Sequence, residues 1–112
     1  MKGVNIETSK EIYKLRFPVN AQIDIEDLCN ETLISLITKP IPMRPLRTVV
    51  YVGLKYGMKG QTYTLDETGD IMDEIIQEKG LSALTDAIGA AVEQALGLAT
   101  MTDSAPSESK KK

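Results

Sequence analysis

Apolar and polar positions alternate at the start of the chain, and a spacing of three and four then takes over. In VNIETSKEIYKLRF, Val4 and Ile6 alternate with polar neighbours, and so do Ile12, Leu15 and Phe17 with one slip around Tyr13 and Lys14. This alternation predicts two half-buried strands, with the polar stretch ETSKE as the turn between them. A two-stranded hairpin is marginal alone, so this one is expected to lie on helices.

Pro18 ends the second strand, and Asn20 is the expected cap of a first helix through about Ile37. Ala21, Ile25, Leu28, Cys29, Leu33, Leu36 and Ile37 paint its apolar face, and Ile23 and Ile34 lie off that stripe, where a partner could touch them. In TKPIPMRP, Pro40, Pro42 and Pro45 lack amide donors and fix φ, which predicts a stiff connector with Pro45 in the first turn of a second helix. That helix, RPLRTVVYVGLKYGM, carries Leu46, Val49, Val50, Gly53, Leu54 and Gly57 on one face, small enough in places for another helix to approach closely. Thr64 followed by Glu67 is a capping-box signature. It opens a third helix to about Lys79, with Leu65, Ile71, Met72, Ile75 and Ile76 inward, which Gly80 ends. A fourth helix carries Leu81, Leu84, Ile88, Ala91, Val92, Ala95 and Leu96 at helical spacing. Beyond Met101 no large apolar residue remains, so residues 100–112 read as a disordered tail. The expected fold is α+β: an N-terminal hairpin packed on a bundle of about four helices, in one domain over residues 1–99.

Composition narrows the function. The 112 residues carry a net charge of −3, which argues against a dedicated nucleic-acid binder. No stretch approaches the roughly 18 uninterrupted apolar residues of a membrane span, and MKGVNIETSK lacks the apolar core of a signal peptide. A single cysteine, Cys29, allows no internal disulfide and fits a reducing compartment. Charge is unevenly spread. From Glu31 to Asp66 there is no acid, while Lys39, Arg44, Arg47, Lys55 and Lys59 are basic; Asp66, Glu67, Asp70, Asp73, Glu74 and Glu78 follow. Either the two segments match each other internally, or they let copies dock basic patch to acidic patch.

Candidate chemistry is sparse. There is no histidine, the commonest general base and metal nitrogen. Cys29, on the apolar stripe and without a histidine partner, reads as a packed thiol rather than a nucleophile. Asp70, Asp73 and Glu74 share a helix face that could hold a divalent cation, but a solvated acidic face is the commoner meaning of such spacing. DETGDIMDE has its glycine in the wrong place for a calcium loop, and GLKYGMKGQT lacks the ending of a phosphate loop. Tyr51, Tyr56 and Tyr63 interleave with Lys55 and Lys59, a pattern that stacks and neutralises single strands. No catalytic constellation emerges, and no cofactor or metal is expected.

The order of segments is more telling. YKLRFPVNA is followed by IDIEDLCNETLISLI, then LRTVVYVGLKYG, then YTLDETGDIMDE, then an Ala-rich helix. This order resembles the tail assembly chaperones of long-tailed bacteriophages and the related small proteins of gene transfer agents. The matching positions are Tyr13, Leu15, Phe17, Asn20, Ala21, Glu26, Leu46, Arg47, Gly53, Leu54, Thr64, Leu65, Asp66, Glu67 and Asp70, within residues 4–99. The proline-rich connector KPIPMRP departs from the pattern. The resemblance implies a non-enzymatic task in the cytoplasm of a bacterial host: coating the tape measure protein and helping recruit tail tube subunits, without a place in the mature virion. Self-association fits the charge pattern. The expected partner-binding residues lie on the second helix: Arg44, Leu46, Arg47, Val50, Tyr51, Leu54, Lys55 and Met58, provided that face stays open. The alternative is a small nucleic-acid-binding regulator using the basic segment Lys39–Lys59.

The terminal SAPSESKKK has two readings. One is a solvating basic tail. The other follows from the resemblance, because such chaperone genes often continue by −1 ribosomal frameshifting into a longer minor product. Lysine codons written AAA AAA AAG at Lys110, Lys111 and Lys112 would supply the slippery run, and the tail would then link to a second domain.

Overall fold

The computed structural model describes residues 3–38 and 41–97, the side chain of Ile37 excepted. Strands β1 (Val4–Glu7) and β2 (Ile12–Leu15) form an antiparallel hairpin, followed by helices α1 (Val19–Cys29), α2 (Leu33–Ile37), α3 (Met43–Gly57), α4 (Leu65–Lys79) and α5 (Leu81–Leu96). An N-terminal hairpin on a compact set of helices is thus the α+β arrangement that the pattern predicts, with five helices among the described residues where about four were expected. The expected tail, residues 100–112, lies outside the described residues.

The register pairs Val4 with Leu15 and Ile6 with Tyr13. Tyr13, Leu15 and Phe17 all point inward, and Ile12 is half exposed. The slip expected at Tyr13–Lys14 is therefore absent: alternation is strict, with Tyr13 rather than Ile12 on the inner face. A tyrosine can take this place because its ring packs in the core while its hydroxyl reaches Glu74 of α4 at 3.4 Å. The turn is pinned to the same helix. The Thr8 hydroxyl donates to Glu74, and the Ser9 amide and hydroxyl donate to the Glu78 carboxylate at 2.9 and 2.7 Å.

The long first helix expected through Ile37 is broken. Asn30 adopts the left-handed region at φ 58° and its amide closes on the Glu26 carbonyl. Thr32 then caps a new helix, its hydroxyl oxygen accepting from the Ser35 amide at 3.0 Å. Asparagine tolerates this conformation better than other residues with a Cβ. The apolar spacing runs on across the break, which hides it. Leu28 was expected inward but lies just before the turn and is 61% exposed; Cys29 is only partly buried. Ile23 and Ile34 are exposed, off the buried face as expected.

Helix α3 is the centre of the fold and packs on α1, β2 and α4. Pro45 sits in its first turn, where no amide is needed. The small residues on α3 admit a strand rather than another helix. A Cβ on Gly57 would stand 2.0 Å from the Lys14 carbonyl oxygen, and one on Gly53 would meet the Phe17 ring at 2.9 Å. The Gly53 carbonyl accepts from the Arg16 amide at 3.1 Å, so the strand and helix backbones touch directly. Leu15 and Phe17, each at most 1% exposed, fill the contact; burying side chains of this size contributes roughly 1.5–3 kcal/mol apiece.

Thr64 and Glu67 complete both halves of the capping box of α4, at 3.0 and 2.8 Å. Gly80, at φ 92°, turns the chain into α5, which packs on α4 and β1. Leu65 and Leu81, expected inward, are both 42% exposed because each stands in the first turn of its helix, at the edge of the packed region. Among the described residues no helix is long and apolar enough to cross a membrane.

Candidate functional site on the outer stripe of helix α3

A helix that packs on three elements has one stripe left for solvent. On α3 the steps from Arg44 to Arg47, Tyr51 and Lys55 are three, four and four residues, which keeps them on one face. Arg44 and Lys55 are exposed, and Arg47 and Tyr51 are half-buried, as is Met58 just past the end of the helix. Leu46, Val50 and Leu54 form a neighbouring stripe and are at most 1% exposed. The eight residues expected to bind a partner are thus two sets. The three aliphatic side chains are spent on the protein's own core and are unavailable to a partner, and the other five border the solvent. Met58 is committed in part, its sulfur accepting from the Lys14 amide at 3.3 Å.

The stripe has a depression at each end. Near its start, Met43, Arg44 and Arg47 face Gly69, Met72, Asp73 and Ile76 of α4 across an open groove of about 660 Å³. The Arg47 stem lies beside Gly69 of α4, where an added Cβ would stand 3.7 Å from its Cδ, in ordinary contact. Met43 is 55% exposed, and Ile76 is half-buried where it was expected inward. No ion pair ties Arg44 or Arg47 to an acid among the described residues. Near the other end, Tyr51 and Lys55 face Gln61, Thr62 and Tyr63 around a smaller notch of about 140 Å³. The Tyr63 hydroxyl donates to the Gln61 side chain at 2.8 Å, and burial pushes its pKa up.

Not every cation on the stripe is free. The Lys55 ammonium pairs with Asp24 of α1 at 3.3 Å and lies 5.4 Å from the Tyr56 ring centre. The Tyr56 hydroxyl donates to the same carboxylate at 2.8 Å. That hydrogen bond, with Lys55 beside it, holds the Asp24 carboxyl below its ordinary range. Tyr56 therefore faces α1 while Tyr51 and Tyr63 share the notch, so the three tyrosines do not form one stacking platform. Lys39, the first cation of the basic segment, lies outside the described residues.

The remaining candidates resolve structurally. Glu74 and Glu78 are engaged by the hairpin tip, and no group of three metal-ligating side chains gathers among the described residues. Burial, reinforced by Glu31, pushes the Cys29 thiol up, away from the thiolate a nucleophile needs. In GLKYGMKGQT, Gly53 and Gly57 are helix positions against β2 rather than parts of a phosphate cradle. Sequence reasoning missed the groove, which needs α4 to be placed beside α3. Gly69, a glycine inside a helix, was no signal of it, since a Cβ there would be in ordinary contact with Arg47. No protein-family model matches this chain, and neither a curated protein nor a solved structure matches it significantly.

Proposed function

We propose that this protein is a tail assembly chaperone of a long-tailed bacteriophage or a related gene transfer agent. It acts by binding rather than by catalysis. Its client is the tape measure protein, which it coats in many copies in the bacterial cytoplasm while helping tail tube subunits assemble; it then leaves the particle. What supports the reading is the order of the motifs from Tyr13 to Asp70 together with one surface feature. Tyr51 stays half-buried beside the notch shared with Tyr63, flanked by Lys55, on a helix that buries its aliphatic residues from Leu46 to Leu54. An aromatic side chain held at the edge of a notch suits the apolar side chains of an elongated helical client. The second part of the proposal concerns residues 100–112, which in a minor −1 frameshift product would join a further domain.

Co-expression with the tape measure protein tests this. The client should move from pellet to supernatant, and Tyr51→Asp should send it back while circular dichroism shows an intact fold. Leu54→Asp is the wrong probe, because a carboxylate in a fully buried position unfolds the protein. A client equally soluble without this protein removes the main support. A tight mobility shift with DNA or RNA at physiological salt favours the nucleic-acid reading instead.

A further inference from the structure

Two surfaces of opposite chemistry flank α3. One is the groove beside α4, with Met43, Met72 and Ile76 as its apolar part and Arg44 and Arg47 against a single acid, Asp73. The other is the outer ridge of α1. Val19 and Ile23, one turn apart, are 68% and 48% exposed. Glu26 and Asp27 are exposed on the next turn of the same face. Asp24 is not part of this ridge, since it is turned to Tyr56 and Lys55.

The two surfaces point away from each other. Tyr56 holds α1 through Asp24, and Arg47 lies against Gly69 of α4. Nine residues separate Tyr56 from Arg47, about two and a half helical turns, so α1 and the groove stand on opposite sides of α3. A molecule cannot seat its own ridge in its own groove. The lengths match: Val19 to Asp27 spans about 12 Å and Gly69 to Ile76 about 10 Å along their helices.

We infer that the α1 ridge of one copy docks in the α3–α4 groove of the next. Val19 and Ile23 meet Met43 and Ile76, and Glu26 and Asp27 face Arg44 and Arg47. Apolar contact supplies affinity and charge sets the register. The contact is heterologous, so it repeats from copy to copy into a ring or an open filament. The acidic α4, which the charge pattern alone offers as the docking face, lines the groove itself and spends Glu74 and Glu78 on the hairpin. None of this depends on the tail assembly reading, since the partner is a second copy of this chain.

Sedimentation velocity on the full chain tests it. The protein should form a concentration-dependent series that extends past the dimer and shrinks as salt rises. Arg44→Glu with Arg47→Glu should raise the dissociation constant about tenfold or more, and Glu26→Arg with Asp27→Arg should do the same. Each variant alone should therefore associate more weakly than the wild type, but an equimolar mixture should recover association, because each then offers the other a complementary ridge and groove. All four side chains are exposed or half-exposed, and thermal melts verify that both variants fold. A wild-type protein that stays monomeric at every concentration overturns the inference. So do oligomers indifferent to both reversals, and a mixture that remains monomeric.

Discussion

Gly57→Ala should be among the most damaging single-methyl substitutions in this protein. Taken alone, alanine is the better helix residue by about 0.5–1 kcal/mol, and Gly57 has no left-handed backbone to protect. Packing reverses the sign. The added Cβ would fall 2.0 Å from the Lys14 carbonyl oxygen and 2.7 Å from its carbon. Both are backbone atoms of β2, so no side chain can swing aside, and the strand must lift from α3 by more than 1 Å to reach about 3.4 Å, ordinary contact. That opens the space around Leu15 and Phe17 and strains the Arg16 to Gly53 hydrogen bond. Overpacking of this kind typically costs 1–3 kcal/mol, and with the helix gain subtracted a net loss of about 2 kcal/mol is expected, near the upper end because the clash is with backbone. In a domain of this size that lowers the melting temperature by roughly 8–16 °C. Gly89→Ala in α5 is the control, because nothing lies within 4 Å of its Cβ position. It should stabilise by about 0.5–1 kcal/mol. Urea unfolding followed by circular dichroism measures both. A Gly57→Ala protein as stable as the wild type would mean that β2 does not lie directly on α3, and the described strand–helix contact would be wrong.

Asn30→Gly should be neutral or stabilising and Asn30→Ala should cost about 1–2 kcal/mol, since only the latter places an ordinary side chain at φ 58°; chemical denaturation of the pair checks the helix break. Thr64→Ala should cost about 1 kcal/mol by removing half of the capping box, read in the same assay. Tyr13 has its pKa pushed from 10.0 up to about 12, by burial first and by Glu74 next. The neutral phenol is thus favoured in the folded state, and its contribution is fully present below pH 10 and lost as pH rises towards 12. Stability should fall across that window by on the order of 2–3 kcal/mol, with Tyr13→Phe flattening the curve; an unchanged curve for that variant would remove Tyr13 as the cause.

Much of this was legible because it is local. Strand alternation, the Thr64–Glu67 box, Pro45 in a first turn and the stop at Gly80 each depend on residues a few positions apart. The break at Asn30 was not, because apolar spacing persists from Ala21 to Leu36 across a single left-handed residue. Gly53 and Gly57 announced a close approach without naming what approaches, since β2 is distant in sequence. The partner-binding set was half legible. Periodicity gathers Leu46, Val50 and Leu54 with their neighbours on α3, but only the placement of β2, α1 and α4 decides which stripe is left outside. The groove is a product of two helices, and no pattern within α3 alone could reveal it.

The proposed coating of one elongated client by many copies of this chain is best tested by the stoichiometry of the complex purified from co-expression with the tape measure protein, measured by sedimentation equilibrium with multi-wavelength detection. A single complex with many copies per client is expected, and it should lose copies when Tyr51 becomes Asp. Client and chain sedimenting separately, or joined one to one, would contradict it.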